Sequence, residues 1–282
     1  MKQQYGKRAS NRGKPGEFQH KHSLGQNFLT DKALLESLVD ETGVGAQDAI
    51  LEVGPGAGDM TRILAARCRH VTSVEIDRDL LPILRVAMEK YDNFSLVQGD
   101  ILRVNLPEIM AEHAAYHVVA NIPYYLTTEL LGLLLSGRLP LRSINVMIQK
   151  EAAQRLTSAK GSADGAFPLR LQYEMETECL FDVPPEKFLP APKVTSTVLR
   201  CVRRKEPPVA VRDEAFFFRV IKGAFLLRRK TLSNSLSAAL PGWDKAAIAD
   251  AIAVCGLPAS VRGEALTLTE FAALTDALAE RK

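Results

Sequence analysis

The sequence predicts an α/β protein: a layered sheet of mainly parallel strands, followed by a smaller all-helical domain. Three observations carry this. Over residues 31–158 short apolar segments alternate with helical stretches, the pattern of strands joined by crossover helices. A glycine-rich turn, Gly54-Pro55-Gly56-Ala57-Gly58, directly follows the apolar segment 49–53. Near Arg203 the character changes. The charged, proline-containing run Arg203-Arg204-Lys205-Glu206-Pro207-Pro208 reads as a linker to a remainder that is helical throughout.

Taken in order, residues 1–22 lack periodicity and are rich in Lys, Arg, Gln, Asn and Gly, as expected of a flexible basic arm. A helix begins at Asp31, with Ala33, Leu34, Leu35, Leu38 and Val39 on one side and Thr30 or Asp31 as its N-cap. Strands are expected over 49–53, 70–75, 94–98, 116–120 and 143–149. Between and after them, helices are expected over 60–67, 79–90 (broken early by Pro82), 127–135 and 150–158. Segments 174–181 and 195–202 read as a late strand pair, of the kind that forms an antiparallel edge. The helical remainder divides into 214–227, 231–239, 244–255 and 269–279. Phe216, Phe217, Phe218, Phe225 and the single Trp243 are expected in its core. The domains are thus an arm (1–22), a sheet domain (23–204) and a helical domain (205–282).

Composition excludes several classes. With 282 residues, 46% apolar and 24% charged, the chain suits about two globular domains rather than a disordered polymer. Its longest apolar run, 130–135, is far short of the ~20 residues of a membrane span, and no apolar segment follows the basic start as in a signal peptide. Cys68, Cys179, Cys201 and Cys255 are scattered and form no CxxC pair, which argues against a zinc knuckle or a disulfide frame. A reducing, cytoplasmic setting is expected. None of the five histidines has a metal-like or triad-like neighbour, so no metal is expected, and nothing in the sequence calls for an obligate dimer. The net charge of +3 conceals a balance of +5 over residues 1–30 and +7 over 200–232, leaving −9 for the rest. Two basic segments of this kind suit a phosphate backbone, and equally a solvated tail and helix face.

The glycine turn has the spacing GxGxG, and Asp59 follows where a pyrophosphate would be repelled. A cofactor without phosphates, such as S-adenosylmethionine, fits better. Glu75, at the end of the next strand, stands where a carboxylate accepts from a ribose diol. Asp100 follows the third strand and can accept from an adenine amino group or cap a turn. The most specific signal is Asn121-Ile122-Pro123-Tyr124 at the end of the fourth strand. Pro123 extends Ile122 and shapes the turn. The Asn121 side chain and the Ile122 carbonyl then offer two acceptors to one exocyclic amine, and Tyr124 offers a face for a flipped-out base.

At this point the chain resembles the ribosomal RNA adenine N6-dimethyltransferases, and within them the small-subunit type that dimethylates two adjacent adenines. Six segments carry the resemblance: Gly25-Gln26-Asn27-Phe28-Leu29, the 52–58 loop, Val74-Glu75-Ile76-Asp77, Gly99-Asp100, 121–124, and Phe188-Leu189-Pro190-Ala191-Pro192-Lys193-Val194. Arg228-Arg229-Lys230-Thr231-Leu232-Ser233-Asn234-Ser235-Leu236 resembles the family's helical domain. Residues 165–169 depart from the pattern by carrying Pro168, so a different loop conformation is expected there.

The resemblance implies a Rossmann-like class I methyltransferase sheet that uses S-adenosylmethionine. It implies that Asn27, Leu29, Gly54, Gly56, Glu75, Asp100 and Asn121 bind that cofactor. Asn121, Pro123, Tyr124 and Phe188 would hold the target adenine. Lys193, Arg228, Arg229 and Lys230 would contact RNA. The implied substrate is 16S rRNA, near its 3′ end, in a small-subunit precursor, and the implied setting is ribosome biogenesis. Two alternatives stay open at this level: a 23S rRNA adenine N6-methyltransferase of the macrolide-resistance type, and a non-catalytic rRNA-binding assembly factor.

Overall fold

The computed structural model describes residues 27–29, 31–137, 139–158 and 165–281. The expected basic arm, Gly25 and Gln26 of the first motif, and Thr30 lie outside the described residues. Strand β1 (Phe28–Leu29) leads to helix α1 (Lys32–Thr42), capped by Asp31, whose carboxylate accepts from the Leu34 N–H. There follow β2 (Ala49–Val53), α2 (Asp59–Arg67), β3 (His70–Glu75), α3 (Leu81–Met88), β4 (Phe94–Gln98), the short α4 (Leu106–Ile109) and β5 (Tyr116–Asn121). A 3₁₀ turn (Tyr124–Leu126) opens α5 (Thr127–Ser136), then come β6 (Leu141–Gln149), α6 (Lys150–Thr157) and α7 (Phe167–Glu174). After β7 (Met175–Val183), β8 (Phe188–Leu189) and β9 (Ser196–Arg203), the chain is helical: α8 (Glu214–Ala224), α9 (Leu232–Ala239), α10 (Lys245–Val254) and α11 (Leu268–Ala279).

The main sheet has the order β4-β3-β2-β5-β6-β9-β7. Its first five strands pair in parallel, while β9 runs antiparallel to both β6 and β7. From β2 the chain first winds outward through β3 and β4, then returns to β5 on the other side. That reversal opens a crevice beyond the carboxyl ends of β2 and β5, where open α/β sheets bind ligands.

Successive strand residues serve opposite faces. Leu51, Val118, Val146 and Leu199 join the core under α4, α5 and α6, whereas Ile50, Val119, Met147 and Val198 join the core under α1 and α2. A third core holds the C-terminal helices. It includes Phe217, Val220, Leu236, Ile248 and Phe271, and also Leu169 and Tyr173 from α7. Phe216 is buried and stacks on the partly buried Trp243 at 5.6 Å between ring centroids, and Phe218 and Phe225 pack against the same core.

Three local expectations are corrected. Pro82 does not break a helix that starts at Asp79; it sits in the first turn of α3, where its missing N–H removes no hydrogen bond. The segment carrying Pro168 is not a loop throughout, because Pro168 likewise opens α7. The helix after the linker stops at Ala224 rather than Leu227, where the N–H groups of Phe225 and Leu226 turn back to Lys222 and Gly223. Among the described residues no helix is long and apolar enough to cross a membrane.

Candidate active site

Ten of the residues singled out in the sequence meet in one cavity of about 240 Å³ at the switch point: Asn27, Leu29, Gly54, Gly56, Glu75, Asp100, Asn121, Pro123, Tyr124 and Phe188. The glycines of the β2–α2 turn serve different ends. Gly54 (φ 67°) adopts a left-handed conformation and donates to the Val74 carbonyl at 3.0 Å, and a Cβ there would meet only the Asn121 carbonyl oxygen, at 4.0 Å. At Gly56 (φ 62°) a Cβ would lie 2.6 Å from the Phe28 ring, so this glycine admits an aromatic side chain from the N-terminal segment.

Glu75 ends β3 and is buried. One carboxylate oxygen accepts from the Asp77 N–H at 2.8 Å and the other from the Gly56 N–H at 3.3 Å. Burial raises its pKa, and these backbone donors partly offset the rise. Asp100 faces the same cavity while its Oδ1 accepts from the Leu102 N–H at 3.0 Å, so it both shapes a turn and lines the site. Asp59 is the first residue of α2, where it pairs with Arg62.

On the opposite side, the Asn121 amide donates to the Asn27 carbonyl at 3.0 Å. The Tyr124 hydroxyl lies 2.7 Å from Ser196 Oγ, which anchors the ring to β9, and burial raises the phenol pKa. Phe188 is buried and pairs with Leu29 in a two-residue antiparallel ladder, β1 with β8. Asp31 reinforces that junction: the carboxylate that caps α1 also accepts from Lys187 at 2.6 Å, and this hydrogen bond holds its pKa down.

The RNA-contact candidates lie elsewhere. Lys193 is exposed on the segment between β8 and β9, outside the cavity lining. Arg228, Arg229 and Lys230 are exposed on the turn between α8 and α9, in the helical part.

Several contributors escaped the sequence reading. Phe28 and Ile76 line the cavity from inside motifs already noted, and Ser196 carries no local signal. Glu52 is fully buried beneath the glycine turn, with Oε2 accepting from the Ser73 hydroxyl at 2.6 Å. Desolvation pushes its pKa up to about 7, and the Ser73 and Thr61 hydroxyls counter it.

The described lining contains four carboxylates, from Asp59, Glu75, Asp100 and Glu129, and no lysine, arginine or histidine. Such walls repel a pyrophosphate and suit a cationic, hydroxyl-rich nucleoside. The residues therefore fit S-adenosylmethionine: Glu75 has the acceptor chemistry for a ribose diol, Asp100 that for an adenine amine, and the acidic walls that for a sulfonium. Among the described residues no cluster of His, Cys, Asp and Glu has the makings of a metal site.

Comparison with known proteins points to one family. The family described as "Ribosomal RNA adenine dimethylase" matches residues 17–261. The chain is 43% identical over 269 residues to "Ribosomal RNA small subunit methyltransferase A" of Geobacillus kaustophilus, covering 93% of this chain and 92% of that protein. The protein of the same name from Clostridium botulinum strain Okra is 37% identical over 263 residues, covering 93% and 95%. Among solved structures, the 23S rRNA methyltransferase ErmE superposes with a TM-score of 0.73 at 25% identity, over 90% of this chain and all of that one. A dimethyladenosine transferase from Plasmodium falciparum gives 0.75 at 20% identity, over 90% and 98%, a likeness of fold.

Proposed function

The chain belongs to the ribosomal RNA adenine dimethylase family, and from that premise we propose that it uses S-adenosylmethionine to dimethylate N6 of two adjacent adenines near the 3′ end of 16S rRNA. The observation that carries this reading is one cavity walled by carboxylates on the cofactor side and by Asn121, Pro123, Tyr124 and Phe188 on the other. The small-subunit assignment is supported by 43% identity to small-subunit enzymes, against 25% to the 23S enzyme.

The cofactor supplies an electrophilic methyl group when bound. The chain's own residues do the rest. Tyr124 and Phe188 hold the flipped adenine between their rings, a contact worth ~1–3 kcal/mol per base. Asn121 Oδ1 and the Ile122 carbonyl accept from the amine and turn its lone pair toward the methyl group. Catalysis is then mainly positioning. No strong base is required, because the alkylated nitrogen is acidic and releases its proton to water. A second round requires the monomethylated amine to rotate, so that its remaining N–H again meets an acceptor.

In this reading residues 23–204 form the methyltransferase domain and 205–282 bind the ribosome, with Arg228, Arg229, Lys230 and Lys193 on phosphates. The enzyme works as a cytoplasmic monomer on a small-subunit precursor, as a step in ribosome biogenesis. The test is methyl transfer from labelled S-adenosylmethionine to undermethylated 30S and 50S particles assayed separately. Label in 30S RNA as N6,N6-dimethyladenosine is expected. Label confined to 50S RNA would reassign the enzyme to the 23S type. Cofactor binding with no label in either would leave an assembly factor.

A further inference from the structure

Beside the target-base residues stands an exposed aromatic ring. Tyr125 follows Tyr124 in the 3₁₀ turn, lines the mouth of the same cavity and is 64% exposed. Tyr125 is the one aromatic among the large hydrophobic side chains left exposed in the described residues. No described residue stacks on it or hydrogen-bonds to its hydroxyl. Its backbone is nevertheless held: Leu126 N–H donates to the Pro123 carbonyl at 2.9 Å, and the Thr127 hydroxyl donates to the Tyr124 carbonyl at 3.0 Å. Further exposed apolar side chains, Leu189 (56%) and Val194 (43%), lie on the segment that runs from Phe188 past the exposed Lys193. Strand β9, which follows it, meets Tyr124 through Ser196.

We propose that Tyr125 is the stacking platform for the nucleobase adjoining the target adenine. This role presupposes that the cavity is that of an adenine methyltransferase. A base drawn into the cavity leaves its neighbour at the mouth on the same strand, unstacked from it, and an aromatic face restores the lost stacking. Two adjacent targets add a requirement. When either adenine occupies the cavity, the other becomes a neighbour, on the 3′ side in one round and the 5′ side in the other. A stacking face does not read base edges and so serves both registers, which a hydrogen-bonding reader would not.

The test is a series of full-length variants, Tyr125→Ala, Tyr125→Phe and Tyr125→Trp, assayed on undermethylated 30S particles, with calorimetric S-adenosylmethionine binding as the control. Tyr125→Ala is expected to lower kcat/KM by about 10-fold or more, the loss of one base–aromatic stack. Tyr125→Phe and Tyr125→Trp are expected within about 3-fold of wild type, and all three should bind the cofactor as wild type does. Wild-type activity in Tyr125→Ala would overturn the proposal, as would an equal loss in Tyr125→Phe, which would assign the effect to the hydroxyl. If wild type binds cofactor yet methylates neither particle, the parent reading fails first and the proposal falls with it.

Discussion

Asn121 and Asn27, 94 positions apart, share a hydrogen bond of 3.0 Å in which the Asn121 side-chain amide is the donor and the Asn27 carbonyl the acceptor. With its NH₂ group so engaged, Asn121 presents Oδ1 as the acceptor for an incoming amine. Asn121→Ala is expected to reduce methyl transfer by ~10²–10³-fold, as for loss of one preorganised polar group at a reacting centre. Cofactor affinity should change little. Asn121→Asp keeps an acceptor but sets it against the Asn27 carbonyl, so it should also lose most activity. Single-turnover rates and calorimetric binding check both; full activity in Asn121→Ala would sink the assigned mechanism.

The contact between Gly56 and Phe28 makes a second test. Gly56→Ala would set a methyl 2.6 Å from the Phe28 ring and hold a non-glycine residue at φ 62°. Melting should show a loss of ~1–2 kcal/mol from the backbone alone. Calorimetry should show weaker S-adenosylmethionine binding. Adding Phe28→Leu should recover the steric part and leave the backbone part. Unchanged cofactor affinity in Gly56→Ala would remove this turn from the binding site.

Glu52 sets a pH dependence of stability. Its pKa rises from 4.5 unfolded to about 7 folded because burial disfavours the charge. The folded state therefore holds more proton between those values, so stability falls as pH rises from about 4.5 to about 7 and is level above. The full effect is on the order of 3 kcal/mol. Glu52→Gln lacks this titration, so its melting temperature relative to wild type should climb between pH 5 and pH 8. Glu75, also raised by burial, titrates in both proteins and cancels apart from its repulsion with Glu52, the smallest contribution to the Glu52 shift. A difference independent of pH would refute the assignment.

Arg228, Arg229 and Lys230 are exposed and form no ion pair with a described residue. If each neutralises a phosphate, replacing all three by Ala should weaken 30S binding. It should also flatten the plot of log K against log salt by about 2–3. A weaker complex with an unchanged slope would mean that the turn contributes shape rather than charge.

Much of this molecule was legible locally. The strands Ala49–Val53, His70–Glu75 and Phe94–Gln98 follow directly from apolar periodicity, and the site residues at their ends follow from turn chemistry. The helix α7 was not legible, because two of its buried residues, Leu169 and Tyr173, pack into the helical core rather than against a neighbour in sequence. Strands β1 and β8 have two residues each, too few to show any period.

The sequence by itself determined the alternation of strands and helices, the glycine turn, and the acids and the Asn-Ile-Pro-Tyr motif at the strand ends. These are short-range matters of period, backbone freedom and capping. Only the tertiary structure decided which distant groups meet: Asn27 with Asn121, Phe28 with Gly56, Leu29 with Phe188, and Tyr124 with Ser196. It also decided that Glu52 would be sealed from water while Tyr125 stayed exposed. Such pairings follow from strand order and from how segments 28 to 159 residues apart close over the crevice, which no local pattern encodes.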